Sequence, residues 1–271
     1  MSASAEERAA TFRRLHQDGL LVLANAWDAG SARLIESLGA KAVATTSAGV
    51  AWSHGYPDGD QLPVRLLVAT VASITRIVKV PLTVDVEGGY STDPAAVGEA
   101  VAAVVGAGAV GINLEDGGQD PDLLCAKIES AKRAATRAGV DLFFVNARTD
   151  VYLRGLGPDD RRVETTLARA ERYRAAGADG LFIPGLAVPA EIRAVAAGAG
   201  LPLNVMAWPG LPPASELMRL GVRRLSAGSS IAQAALARTG LLAAAFLQTG
   251  ASDAVRERGI PYAEINALMA E

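Results

Sequence analysis

Short apolar runs recur along this chain, and most of them end on a polar residue or on glycine. They are LVLANAW (21–27), AVATTSA (42–48), LTVDVE (82–87), GINLED (111–116), FFVNAR (143–148), GLFIPG (180–185), LPLNVM (201–206) and RRLSAG (223–228). Between them lie Ala-, Leu- and Arg-rich stretches with apolar residues at helical spacing. DPAAVGEAVAAVVGAG is one; RRVETTLARAERYRAAGADG is another, and Gly177 stops it. Strands alternating with helices over about residues 20–250 predict an α/β fold, a (β/α)8 TIM barrel, within a single domain over 1–271. A doubly wound open sheet is the alternative, but it usually has fewer strands, and no GxGxxG follows the first run. An N-terminal helix precedes the barrel, residues 229–250 form its eighth helix, and 251–271 add a C-terminal helical extension.

A barrel of this kind places its chemistry at the C-terminal ends of the strands. Here those ends carry Ser47, Asp85, Glu87, Glu115, Asp116, Arg148, Asn204 and Ser226. In extended backbone, residues i and i+2 share a face, which aligns Asp85 with Glu87, Asn113 with Glu115, and Asn146 with Arg148. Carboxylates gathered this closely either rise in pKa or take up a cation. An all-oxygen set without a nearby histidine suits Mg²⁺ or Mn²⁺. Asp85, Glu87 and Glu115 are the expected metal acids, with Gly88 and Gly89 turning the backbone away. Arg148 is expected to clamp an anionic group while neutralising the acids beside it. Ser47-Ala48-Gly49 and the segment SAGSS (226–230) offer backbone N–H groups to an anion, and Asn204 is a further substrate-binding candidate.

Composition removes other chemistries. None of the four lysines is expected at the mouth, since Lys41 and Lys79 precede strands and Lys127 and Lys132 fall in the fourth helix. Schiff-base chemistry is therefore disfavoured. His16 and His54 have no partner at zinc spacing, and His54 reads as an exposed loop residue. Cys125 reads as a buried helical thiol, and a lone cysteine suits a reducing cytoplasm. Net charge is −3 with no basic run, which argues against nucleic acid. No apolar run is expected to reach the roughly 18 residues of a membrane span, and the charged N-terminus lacks a signal-peptide core.

The ordered motifs TTSAGVA, GYPDG, VDVEGGY, INLED, NARTD and LNVM resemble those of the isocitrate lyase/phosphoenolpyruvate mutase superfamily over nearly the whole chain. The resemblance implies a (β/α)8 barrel that makes or breaks C–C or P–C bonds in 2-oxo or 2-hydroxy acids with Mg²⁺. It maps the substrate-anion loop onto Ser47-Ala48-Gly49, the gating-loop aspartate onto Asp58, the metal acids onto Asp85, Glu87 and Glu115, and the substrate arginine onto Arg148. It also implies a homo-oligomer, a tetramer or dimer, in which the tail residues Ile265, Leu268 and Met269 find a partner. The lyases' KKCGH or KRCGH segment is absent, because LEDGGQDPDLLCAKI passes almost directly from strand to helix. The expected reaction is thus lysis, decarboxylation or hydrolysis of a small anionic 2-oxo acid, oxaloacetate- or phosphonopyruvate-like, through a metal-stabilised enolate. A 2-hydroxy-acid lyase with another general acid, or a barrel that binds a 2-oxo dicarboxylate with little turnover, are the alternatives.

Overall fold

In α1 (Ala5–Leu15) the helix start is written in the sequence: Ser4 and Glu7 form a reciprocal capping box. The computed structural model describes residues 4–256 and 259–270. After α1 come β1 (Leu21–Leu23), β2 (Asn25–Ala26), α2 (Ala29–Ser37), β3 (Val43–Thr45), α3 (Ser47–Ser53), α4 (Val64–Ile77) and β4 (Leu82–Asp85). The middle of the chain holds α5 (Pro94–Gly106), β5 (Gly111–Glu115), α6 (Pro121–Arg137), β6 (Phe144–Arg148), α7 (Arg162–Ala175), β7 (Gly180–Ile183) and α8 (Pro189–Gly198). The chain ends with β8 (Leu203–Met206), α9 (Ala214–Arg219), β9 (Val222–Ser226), α10 (Ser230–Thr249), α11 (Ser252–Arg256) and α12 (Tyr262–Ala270).

The sheet has nine parallel strands rather than eight, because the first apolar run breaks at Ala24. Its first half pairs with β9 and its second half with β3, so the sheet returns on itself as a nearly closed α/β barrel of the TIM type. The run at 42–48 also ends earlier than expected, with Ser47 already opening α3.

Helix α1 closes the N-terminal end. Phe12 is fully buried and meets Phe144, at the start of β6, edge-on at 5.4 Å. His16 stacks on the same ring at 4.2 Å. Burial of a side chain such as Phe12 contributes about 1.5–3 kcal/mol. The plug leaves no room on β5, where a Cβ at Gly111 would lie 2.8 Å from the Phe144 carbonyl oxygen and 3.1 Å from the Phe12 ring. Glycine is required there by close approach.

Two expectations about the C-terminal region change. Helix α10 is 20 residues long with a mean hydropathy of 1.4, long and apolar enough to cross a membrane by length and composition, although no such run was expected. It is mostly exposed and presents Leu236, Leu241, Phe246 and Leu247 to solvent. The tail helix folds back on its own barrel: Arg33 of α2 donates to the Leu268 carbonyl at 3.1 Å, and the Met269 methyl reaches Gly30. Leu268 and Met269 are half-buried by this contact, while Ile265 remains exposed.

His16 donates through Nδ1 to the Phe12 carbonyl at 2.8 Å, since a carbonyl only accepts. Burial first, and the nearby Arg224 charge second, push the imidazole from 6.5 down to about 3. Stability from the neutral ring is complete above pH 6.5 and is lost as pH falls toward about 3, at up to about 1.4 kcal/mol per pH unit. Urea denaturation of the native chain and His16→Gln between about pH 7 and pH 4.5 checks this. The variant's deficit should shrink on acidification; parallel curves would place the acid sensitivity elsewhere.

Candidate active site

Strand register assembles the C-terminal mouth. Asp85 pairs with Asn113 and Asn113 with Asn146, while one layer higher Glu115 pairs with Arg148 and Arg148 with Phe182. A cavity of about 240 Å³ opens there. Asp85, Asp58, Arg148, Ser47, Ala48 and Asn113 supply its polar wall, and Leu153, Phe182, Met206 and Trp208 its apolar wall.

Ser47 and Ala48 sit in the first turn of α3, whose N-cap Thr46 makes no side-chain cap, and backbone N–H groups there have no intrahelical acceptor. Asp85 accepts from the Glu87 N–H at 3.4 Å and from the Ser47 backbone, and its own N–H donates to Thr45 Oγ1 at 2.8 Å. Burial raises its pKa, Arg148 opposes that rise, and the charge of Asp58 adds to it.

Glu87 reaches the region by a route that alternation does not describe. Strand β4 ends at Asp85, and Glu87 has φ +52°, followed by Gly89 at +89° and Tyr90 at +60°. Its carboxylate is turned to the loop that carries Asp58: Oε2 accepts from the Gly59 N–H at 2.7 Å and from the Asp60 N–H. Among the described residues, Oε1 is buried without a hydrogen-bond partner. Burial pushes Glu87 up to about 7.

Arg148 is held on two sides. It pairs with Glu115 at 2.6 Å and with the fully buried Asp150 at 2.8 Å, and it lies 5.7 Å from the Phe182 ring centroid. Burial pushes Glu115 up to about 8 against the pull of Arg148. Asp150 also pairs with Arg154 at 3.0 Å. Asp150 has a single signal in the sequence, its spacing of two from Arg148 in NARTD.

Several expected residues lie elsewhere. Asn204 has no exposed surface; it bonds Asn146, the carbonyls of Val205 and Arg224, and Ser226, so it supports the cavity floor instead of lining it. Gly49 packs under Trp27 and Ala232, outside this cavity. In 226–230, the Ala227 and Gly228 N–H groups already donate to Asn25 Oδ1 at 2.9 and 3.0 Å. Asp116 turns outward and accepts from Tyr173 at 2.7 Å and Arg169 at 2.6 Å. Lys127 was placed away from the mouth, yet its Nζ reaches the Gly88 carbonyl at 2.6 Å and borders a neighbouring cavity of about 350 Å³ beside Glu115. His54 bonds Thr70, and burial raises the Cys125 thiol.

Among the described residues, no three of His, Cys, Asp and Glu converge as a metal cage. The donors still fit a hard divalent ion of the kind that keeps most of its waters. Asp85 faces the cavity, Glu87 retains a buried oxygen without a hydrogen-bond partner among the described residues, and burial raises Glu87 to about 7 and, against the pull of Arg148, Glu115 to about 8. A cation would draw all three toward ionisation.

A parallel barrel with an anion-ready polar mouth, built from carboxylates and one clamped arginine, defines an enzyme of the lyase and mutase class. The chain belongs to the phosphoenolpyruvate phosphomutase family, whose match spans residues 12–247. It is 37% identical to an uncharacterised protein of Mycobacterium tuberculosis over 96% of both chains. It is 30% identical to an oxaloacetate decarboxylase of Paraburkholderia xenovorans, over 80% of this chain and 75% of that one. A Burkholderia cenocepacia crystal structure with the provisional name phosphonomutase is 43% identical, with TM-score 0.83, covering 92% of this chain and 100% of that one.

Asp150 leaves Arg148 and Arg154 short of a buried partner when it is removed. Asp150→Ala should therefore lower unfolding free energy by about 3–5 kcal/mol, as expected for breaking a buried pair. Chemical denaturation at neutral pH measures it, and a loss within about 0.5 kcal/mol would show that Glu115 alone holds the arginine.

Proposed function

We propose that this enzyme cleaves a C–C or P–C bond in a small 2-oxo acid of the oxaloacetate or phosphonopyruvate type, with Mg²⁺ or Mn²⁺. The observation that carries this reading is the single cavity wall on which Asp85, Arg148 and the first turn of α3 face one another. The oxaloacetate decarboxylase among its relatives supports the C–C branch. A divalent ion, held by Asp85 directly and by Glu87 and Glu115 through water, would supply electrophilic polarisation of the substrate's oxygens.

The chain's own groups do the rest. The Ala48 amide, next to the Ser47 N–H that Asp85 already takes, orients the substrate carboxylate. Arg148, fixed by Glu115 and Asp150, faces the negative charge that develops on the 2-oxo oxygen as the bond breaks. Asp58, on an exposed loop at the cavity edge, moves a proton to or from the leaving fragment. Phe182, Leu153 and Trp208 exclude water. Strand β5 runs into α6 through residues 116–120 alone, which leaves no segment to carry the lyases' cysteine acid.

Turnover of oxaloacetate, phosphonopyruvate and isocitrate, with and without Mg²⁺, tests the reading. Cleavage is expected for a 2-oxo acid and not for isocitrate, and Asp85→Ala should lose both activity and calorimetric Mg²⁺ binding. Isocitrate cleavage at ordinary enzyme rates, about 1–1000 s⁻¹, would favour the 2-hydroxy-acid reading. Tight 2-oxo dicarboxylate binding without turnover would favour a binding barrel.

We also infer a cytoplasmic homo-oligomer, with the apolar face of α10 covered by a second copy of this chain. Leu241 is 68% and Leu247 84% exposed, an arrangement a partner would relieve. Light scattering should give a multiple of 27.9 kDa. Leu241→Glu with Leu247→Glu should reduce it to the monomer while the thermal transition persists. A native chain that is monomeric at micromolar concentration overturns the inference.

A further inference from the structure

Beneath the cavity floor lies a buried cation that the proposed mechanism does not use. Arg224, inside the barrel on β9, is 1% exposed and donates from Nη2 to Asn113 Oδ1 at 3.1 Å. Among the described residues its Nε and Nη1 have no hydrogen-bond partner and no carboxylate pairs with it, the Phe12 ring lying 5.9 Å from the guanidinium. A structural arginine so deeply buried would ordinarily be paired, because an uncompensated buried charge is costly.

The consequence of that one bond propagates by donor–acceptor logic. A guanidinium has no acceptor, so the Asn113 atom facing it is the oxygen. Asn146 must then meet that oxygen with its amide nitrogen, at 2.9 Å, and the same nitrogen reaches Asn204 Oδ1 at 3.0 Å. Asn204 in turn donates from Nδ2 to Ser226 Oγ at 3.2 Å. Both ends of the chain, Asn113 and Ser226, line the cavity. With its oxygen occupied twice from below, Asn113 has its NH₂ left over, and among the described residues no acceptor takes it. Ser226 already accepts, and its one acceptor among the described residues, the Val205 carbonyl, is 3.5 Å away. That distance is long for a hydroxyl donor.

We propose that Arg224 acts as a positioning residue that sets the cavity floor as hydrogen-bond donors, with Asn113 as the group that contacts the substrate. The floor then reads a carbonyl or carboxylate oxygen and rejects an ammonium group at the same place. This rests on the 2-oxo acid reading above and narrows it: the substrate presents oxygen, not nitrogen or hydrocarbon, to the barrel axis. Neither the helix-turn amides nor Arg148 supplies this selection, since they face the ligand from the rim.

Calorimetric titration of oxalate at saturating Mg²⁺ tests it with four proteins: the native chain, Asn113→Leu, Arg224→Met and the double variant. Hydrogen bonds to a charged ligand predict about a 10- to 100-fold loss of oxalate affinity in Asn113→Leu, with Mg²⁺ affinity unchanged. Arg224→Met should also weaken oxalate, and the double variant should bind no more weakly than Asn113→Leu alone, because Arg224 works through Asn113. An Arg224 effect that persists in full without Asn113 would mean a simple charge effect and overturns the proposal. Native-like binding by Asn113→Leu overturns it as well. If thermal melting shows that the Arg224 variants do not fold, Ser226→Ala decides. This small change at the other end of the chain must by itself weaken oxalate, and an unaltered affinity counts against the donor floor. A native chain that binds Mg²⁺ but no oxalate defeats the 2-oxo acid reading and this inference with it; indifferent variants of an oxalate-binding native chain defeat this inference alone.

Discussion

A ring of parallel strands sends every second side chain toward a common axis, and that axis has to be filled. Here it is filled in three tiers of different chemistry. Phe12, Phe144 and His16 occupy the N-terminal end, Asn113, Asn146, Asn204 and Arg224 the middle, and Asp85, Glu115 and Arg148 the C-terminal end. The aromatic tier makes the lower end dry and closed. The amide tier is polar but fully committed to itself, apart from what it presents upward. Solvent reaches the axis only from the top, down to Asn113, so the ordering of side chains along the axis decides where a ligand can enter.

Charge follows the same gradient. Arg148 balances two carboxylates at 2.6 and 2.8 Å, yet Glu115 and Glu87 still sit well above ordinary carboxylate values, and the region therefore holds a surplus of acid over base. A surplus of this kind is tolerated because Asp58 lies on an exposed loop and Asp116 is drawn off by Tyr173 and Arg169. The folded chain is thus prepared for positive charge without depending on it.

What the sequence made legible was what local periodicity controls. Each apolar run became strand, and Ser47, Asp85, Glu115 and Arg148 came to the mouth because strand ends and register put them there. What it hid depends on backbone departures or on long-range docking. Glu87 was assigned by alternation, but its positive φ sends the carboxylate to the loop amides. Lys127 looked remote on α6 because only the folded helix–strand geometry shows that its four-carbon stem reaches Gly88. Asn204 and Arg224 read as mouth residue and as nothing in particular; the hydrogen-bond chain joining them through Asn113 and Asn146 spans four strands and has no signature in any one segment.

The grip of Glu87 on residues 59 and 60 has a mechanical side. The loop that brings Asp58 to the cavity is fastened at a buried carboxylate oxygen, through the Gly59 and Asp60 amides, with Asp60 Oδ1 accepting the Tyr90 N–H at 2.9 Å as a second fastening. Lifting the loop strips that oxygen of its donors, and a buried acceptor left bare costs about 1–3 kcal/mol. Water or a cation's hydration shell arriving at Glu87 would offset that cost. The loop is thus fastened at one of the acids proposed above to hold the metal, so that lifting the loop and solvating that acid would be one event.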